Sequence, residues 1–257
     1  MFNSLDNLEA AKLLKWPGGR HLDQAYIFSL MPAHDTYVEP FCGGATIFFK
    51  KPLVKINVIG DTDERLMRFY SAVRQGAARK CPQQVKCDRE TFWKAKRASE
   101  RDGSNVCSML VTNRLGYHGI DKTYTGDKAC QFGTNRKLYT PDQLSEVESK
   151  LRRAFLTSQS FETTMEAFDS PTTWHFLDPP WWLAYSEEKY KSGLSVTPEK
   201  VYQVASKMKG KVLIIYNDHP KVRQALCRNK FRCFTYDIGV NTGGVRRNRP
   251  RLIAVNY

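Results

Sequence analysis

The chain is short of acidic residues: 26 aspartates and glutamates stand against 40 lysines and arginines in 257 positions, a formal charge of +14. That shortage implies a polyanionic partner, with nucleic acid favoured over an acidic membrane surface. No apolar run reaches the roughly 18 residues of a membrane span, which excludes a transmembrane helix. Residues 1–16 lack a basic start followed by an apolar stretch, so no signal peptide is expected. The seven cysteines (Cys42, Cys81, Cys87, Cys107, Cys130, Cys227 and Cys233) form no Cys-x-x-Cys pair and no His-paired metal spacing. They read as reduced thiols of a cytoplasmic protein, and nothing near Cys81 and Cys87 completes a four-ligand zinc set, so no metal is expected. Neither Gly-x-x-x-x-Gly-Lys-Ser/Thr nor a full Gly-x-Gly-x-x-Gly occurs, which excludes the usual loops that wrap a polyphosphate. Internal repeats and low-complexity tracts are also missing.

What is present is globular. A hydrophobic content of 41% with mixed charges suits a soluble fold, and the length allows one large domain or a domain carrying an insertion. Residues 36–41 form an extended run leading into Cys42-Gly43-Gly44-Ala45-Thr46 and then Ile47-Phe48-Phe49, which reads as strand, glycine turn and helix start. A second strand at residues 56–60 ends at Asp61. Either Asp61 or Thr62 is expected to cap a helix whose Leu66, Phe69, Tyr70 and Val73 recur at helical spacing. From about residue 71 to 140 the pattern changes to helical segments at 90–100 and 106–115, followed by turn-forming residues over 116–132. This predicts an inserted, mainly helical subdomain with a hairpin. A helix opening at Thr140-Pro141 carries Leu144, Val147, Leu151 and Phe155 on one face. A strand at 174–177 delivers Asp178. Thr197-Pro198-Glu199 opens a helix with Val201, Val204, Ala205 and Met208, closed by Gly210 before a buried strand at 212–216, and the last strand is expected at 252–257. Alternating strands and helices imply an α/β fold with a mostly parallel sheet.

Two motifs carry the chemistry. Gly43-Gly44 after a strand is an ordinary turn by itself. Asp61, however, lies 18 residues beyond Gly43 at the next strand end, close to the spacing at which an acidic residue meets a ribose hydroxyl. This outlines a nucleoside site without phosphates. Asp178-Pro179-Pro180-Trp181 is either a helix-blocking surface turn or a functional element, and the glycine turn, Asp61 and the basic charge favour function. It combines a fixed acceptor, a stiff backbone without competing amide donors, and a stacking face. An exocyclic amine of adenine or cytosine is a poor nucleophile because its lone pair is delocalised into the ring. A carboxylate and a backbone carbonyl accepting its two N–H bonds favour a tetrahedral nitrogen and free that pair. Both motifs fall at carboxyl ends of strands, where open parallel sheets bind ligands, so they are expected to face one cleft.

At these residues the chain resembles the Dam-type DNA adenine N6-methyltransferases. The similar segments are Leu14-Lys15-Trp16-Pro17-Gly18-Gly19-Arg20, Glu39-Pro40-Phe41-Cys42-Gly43-Gly44, Gly60-Asp61, Asn113-Arg114-Leu115-Gly116-Tyr117-His118-Gly119 and Asp178-Pro179-Pro180-Trp181. Their order is that of the alpha group of amino-methyltransferases, and the resemblance spans nearly the whole chain. It implies a Rossmann-like S-adenosylmethionine methyltransferase sheet with an inserted helical target-recognition subdomain and hairpin. The catalytic domain's cofactor part would occupy 1–70, the insert 71–140 and the Asp-Pro-Pro-Trp part 141–257. It implies S-adenosylmethionine held by Trp16, Arg20, Glu39, Phe41, Gly43, Asp61, Ser160, Phe161 and Asp178. Catalysis would rest on Asp178, Pro179, Pro180 and Trp181, with a flipped adenine stacked on Trp181. Lys15, Asn113, Arg114, Tyr117, His118 and Lys122 would meet duplex DNA.

The chain departs from that pattern in several places. Trp181 stands for tyrosine and keeps the stacking face, and Arg20 stands for lysine and keeps the charge; His118 for asparagine and Lys122 for a frequent arginine count against the family's usual GATC, so the expected site is GATC or a related short sequence. Pro250-Arg251 stands where the family tends to have an acidic residue. Residues 241–251 are basic and free of acids, and Arg246, Arg247 and Arg249 are expected to grip phosphates as a loop, positioning DNA without reading it. The expected protein is a cytoplasmic enzyme, bacterial or phage-encoded, monomeric or weakly dimeric, acting on double-stranded DNA. Cytosine N4-methylation, or a non-catalytic module binding cofactor or DNA, are the rival readings.

Overall fold

The computed structural model describes residues 12–16, 19–20, 22–103, 105–119, 122–126, 134–180, 196–242 and 245–257. In chain order the elements are α1 (Gln24–Ser29), β1 (Thr36–Glu39), α2 (Thr46–Lys50), β2 (Ile56–Gly60), α3 (Glu64–Arg74), β3 (Gln84–Lys86), α4 (Arg89–Arg101), α5 (Val106–Leu115), β4 (Asn135–Lys137), α6 (Pro141–Arg152), β5 (Phe155–Thr157), α7 (Phe161–Ala167), β6 (Thr173–Leu177), α8 (Pro198–Ala205), β7 (Lys211–Asn217), α9 (Pro220–Leu226), β8 (Arg232–Thr242) and β9 (Val245–Val255). The fold is mixed α/β around a seven-stranded sheet of order β5-β2-β1-β6-β7-β9-β8. β1 with β6 and β6 with β7 are parallel, and β9 is antiparallel to both β7 and β8. Such a sheet is consistent with a Rossmann-like methyltransferase fold. The chain divides into two compact units, Met1–His21, Cys42–Leu53 and Ile59–Ser158 forming one, and Leu22–Phe41, Val54–Val58 and Gln159–Tyr257 the other.

The first unit is built on capped helices. Asp63 accepts the Leu66 amide at 3.1 Å, Asp88 that of Thr91 at 2.8 Å and Asn105 that of Ser108 at 2.9 Å, satisfying orphan donors at the starts of α3, α4 and α5. α6 opens with the Thr140 cap and Pro141 that the sequence predicts, and Gln143 completes a capping box. The cap of α3 is Asp63 rather than Asp61 or Thr62, because the Asp61 carboxylate is engaged elsewhere. Phe155 does not lie on the α6 face either: the helix stops at Arg152, and Phe155, 58% exposed, begins the short strand β5. β3 and β4 pair as a separate two-stranded sheet.

In the second unit Val212 to Tyr216 of β7 are fully buried, and alternate residues Val212, Ile214 and Tyr216 pack with Phe161, Met165, Leu177, Val201, Val222 and Leu252. Burying each such side chain contributes about 1.5–3 kcal/mol. α8 ends at Ala205, not at Gly210, whose absent side chain has another cause. A Cβ there would fall 2.7 Å from the Thr173 carbonyl, and Asp169 holds the Gly210 amide at 2.9 Å. The last strand starts at Val245 and ends at Val255, so the predicted basic loop is part of a long hairpin with β8. Arg251, only 5% exposed, lies 3.6 Å from the Asp23 carboxylate, which also accepts the Tyr236 hydroxyl at 2.7 Å. An acidic partner for this arginine is thus supplied from outside the strand.

The reduced-thiol expectation is corrected. Cys81 and Cys107 are disulfide-bonded, as are Cys227 and Cys233, with Cα separations of 5.1 and 5.7 Å that permit a bond. Cys87 is disulfide-bonded too, whereas Cys42 keeps a buried thiol and Cys130 lies outside the described residues. Sequence separation hides the Cys81–Cys107 pair, because the folding of the insert brings its two halves together.

Candidate active site

The glycine turn is fixed from three sides. Cys42 donates its amide to the Gly60 carbonyl at 2.8 Å, tying the turn to the end of β2. Gly43, at φ +45°, donates its N–H to the Asp61 carboxylate at 3.0 Å, and its carbonyl accepts the Tyr70 hydroxyl at 2.7 Å. The second Asp61 oxygen accepts the Asp63 amide at 3.0 Å. Over the turn lies Trp16: a Cβ on Gly43 would sit 2.6 Å from two indole atoms, and one on Gly44 3.0 Å from the Trp16 Cβ. Gly19 donates back to the Trp16 carbonyl at 3.0 Å, and Arg20 is 2% exposed. Tyr70 is the residue that sequence reasoning assigned only to a helix face; its spacing gave no sign of a hydroxyl aimed at the turn.

Burial pushes the Asp61 carboxyl above its ordinary range, against the two amide bonds that favour its charged form. With a raised pKa the charge is lost at a higher pH on acidification than for an exposed aspartate, near 3.9. A ligand hydroxyl bound by the carboxylate should therefore weaken as pH falls through a window starting above that value. Calorimetric titration of the cofactor across this range should show the loss in wild type and a flat profile in Asp61→Asn.

The same unit contains the expected recognition residues. Asn113, 6% exposed, bonds the backbones of Lys15 and Gly119. Tyr117 is 55% exposed at the start of the 3-10 turn Tyr117–Gly119, and Lys122 is exposed beyond it. The His118 side chain lies outside the described residues. Arg114 donates to the Leu138 carbonyl at 2.8 Å. Partial desolvation, then Arg114, Arg136 and Lys12, lower the Lys15 pKa, the signature of crowded positive charge.

In the other unit, Glu39 ends β1 at 3% exposure and accepts the Tyr37 hydroxyl at 2.8 Å. Asp178 follows Leu177 of β6, the parallel neighbour of β1, with Val38 opposite His175. Both carboxylates therefore belong to carboxyl ends of adjacent parallel strands. Pro179 is buried and Pro180 exposed, while Trp181 lies outside the described residues. Phe41 and Phe161 rings pack at a tilt of 33° with centroids 5.0 Å apart, Ser160 caps α7, and Lys200 lies over Phe161 at 5.8 Å while pairing with Glu162. β9 leaves β7 at the Asn217–Arg251 pair, so residues 237–242 and 245–250 continue as two paired strands past the carboxyl end of β7. Arg249 is exposed there opposite Ile238; Arg246 and Arg247 pair with Asn241 and Val240, their side chains outside the described residues.

Residues 16–232 match the D12 class N6 adenine-specific DNA methyltransferases. The chain belongs to this family. It is also 23% identical over 188 residues, 70% of this chain and 72% of the other, to the Type II methyltransferase M.CviBI of Paramecium bursaria Chlorella virus NC1A. Membership makes the protein an adenine-specific DNA-methylating enzyme, with DNA as substrate and a methyl donor as cofactor. Among the described residues no group of His, Cys, Asp or Glu is placed to hold a metal ion, and no helix is long and apolar enough to cross a membrane.

Proposed function

We propose that this D12 methyltransferase uses S-adenosylmethionine to methylate N6 of an adenine flipped out of duplex DNA, at GATC or a related short site. The observation that carries the reading is Asp178 on a proline-stiffened turn at the carboxyl end of β6. The donor set suits the cofactor. Asp61 offers a half-buried carboxylate for ribose hydroxyls, and the missing side chain of Gly43 lets the Trp16 indole lie against the turn. Trp16 and Arg20 of the same unit, and Glu39, Phe41, Ser160, Phe161 and Asp178 of the other, are the further residues we assign to it. Bound there, S-adenosylmethionine supplies an electrophilic methyl group. Asp178 and a proline carbonyl accept the two amine N–H bonds and orient the nitrogen lone pair, and Trp181 stacks on the extruded base, whose unstacking costs a few kcal/mol. Asp178 acts as acceptor and orienter rather than strong base, because the amine acquires acidity only as the new bond forms.

Lys15, Arg114, Tyr117, His118 and Lys122 read or hold the DNA, and the segment 71–140 is the target-recognition insert between catalytic parts 1–70 and 141–257. We read the protein as bacterial or phage-encoded, acting with DNA in the cytoplasm as a monomer or weak dimer. Arg246, Arg247 and Arg249 on the ribbon bind phosphates. Replacing all three with alanine should lower the slope of log affinity against log salt by about 3, near 0.9 per contact. Fluorescence anisotropy at several salt concentrations reads this slope, and an unchanged value removes the ribbon from the interface.

Incubation of DNA with methyl-labelled S-adenosylmethionine, followed by digestion to nucleosides, tests the reaction. Label in N6-methyladenine supports it. Label in N4-methylcytosine, or binding of cofactor and DNA without turnover, overturns it.

A further inference from the structure

Asn113, in the last turn of α5, makes three hydrogen bonds to backbone groups of other segments. Its Oδ1 accepts the Lys15 N–H at 2.8 Å, and its Nδ2 donates to the Lys15 carbonyl at 2.7 Å and the Gly119 carbonyl at 2.9 Å. Both amide hydrogens are thereby used. The reciprocal pair with Lys15 reproduces, through a side chain, the exchange of N–H and C=O between paired strands. From the other side Gly119, at φ +76°, comes so close that a Cβ would lie 2.7 Å from the Lys15 carbonyl oxygen. The turn bearing Tyr117 is itself pinned to the end of α5. Tyr117 donates to the Thr123 carbonyl and Thr125 to the Leu115 carbonyl, each at 2.9 Å, around a Gly116–Tyr124 bridge.

We infer that Asn113 is a positioning residue for target reading: its amide holds the Lys15 backbone and the Tyr117–Gly119 turn as one rigid surface, so that both segments meet the bases in fixed register. This rests on the proposed reading roles of Lys15, Tyr117 and His118. The geometry demands an amide at this position. Aspartate would turn a carboxylate toward two carbonyl oxygens, serine keeps a single donor, and alanine leaves three backbone groups without partners, each a penalty when buried. Asn113 therefore acts on DNA through the segments it joins.

The test uses the full chain, first to find the sequence methylated by wild type and then to measure kcat/KM on that duplex and on one with a single changed base pair. Asn113→Ser should lower the rate on the correct duplex by about 10–100-fold, the loss of one or two part-buried hydrogen bonds. On the altered duplex it should fall less than about threefold, so discrimination collapses while cofactor affinity is retained. In a Lys15→Ala background the same change should add less than it does in wild type, since the Lys15 side chain that the joint positions is gone while the Tyr117–Gly119 turn it also holds remains. Gly119→Ala leaves the amide intact, disturbs the joint from the turn side and should also reduce discrimination. Equal losses on both duplexes, or full additivity with Lys15→Ala, would overturn the inference by making Asn113 a purely structural residue. A wild-type protein that methylates no DNA would overturn the functional reading beneath it, a result distinct from unchanged discrimination in an active variant.

Discussion

Replacing Asp178 with alanine is expected to lower the turnover of methyl transfer about a thousandfold or more, equivalent to roughly 4 kcal/mol of transition-state stabilisation. The amine nitrogen must leave conjugation with the ring before its lone pair can attack, and a fixed acceptor stabilises the nitrogen more in that geometry than in the ground state. Removing one preorganised polar partner of a developing charge lowers rates by about 10²–10³ in comparable sites, and the loss of negative charge beside an amine becoming cationic adds to it. Asp178 is held for this task by its setting. The preceding residue, Leu177, is fully buried in β6 and Pro179 is buried behind it, so the backbone that carries the carboxylate is fixed. Asp178→Asn keeps shape and one acceptor oxygen and should retain more activity than alanine. Single-turnover rates at saturating cofactor separate chemistry from binding. An alanine variant within tenfold of wild type would remove Asp178 from the reaction.

Gly43→Ala is expected to weaken S-adenosylmethionine binding by about a hundredfold, some 3 kcal/mol. Two penalties add. The residue adopts φ +45°, where a Cβ costs roughly 1–2 kcal/mol, and that Cβ would overlap the Trp16 indole at 2.6 Å, with overpacking of about 1–3 kcal/mol. The turn cannot rotate to escape, because Asp61 holds the Gly43 amide and Tyr70 its carbonyl. Trp16 must therefore move, and with it a proposed wall of the cofactor site. Ala45 provides the contrast: it already occupies the left-handed region at φ 49° without glycine, so Ala45→Gly should leave affinity nearly unchanged. Isothermal titration of the two variants distinguishes these cases, and equal affinity for wild type and Gly43→Ala would contradict the cradle.

The parallel part of the fold was legible because its strands are continuous buried runs. β2, β7 and the helices α5 and α6 fall where periodicity and caps predict them. Elements set by tertiary packing were not. β5 is three residues long, α7 and α9 seven each, and β8 mixes exposed Arg232, Phe234 and Thr235 with buried Ile238, so no clean period marks it. The basic segment was read as a loop because its arginines and glycines obscure the strand, whereas the pairing of Val245–Val255 with β8 defines it. At the site, sequence reasoning gave the carboxylates and glycines but not the groups that orient them. Tyr70, Tyr37 and the Asn113 amide act across 27, 2 and 98 positions of chain, and only the folded register shows where they point.

The most direct test of the account is single-molecule or chemical mapping of modified bases in DNA from cells that express the wild-type chain, with Asp178→Ala as control. The account predicts N6-methyladenine at one short recurring sequence, absent from the control. Modified cytosine in its place, or adenine methylation that persists undiminished with Asp178→Ala, would contradict it.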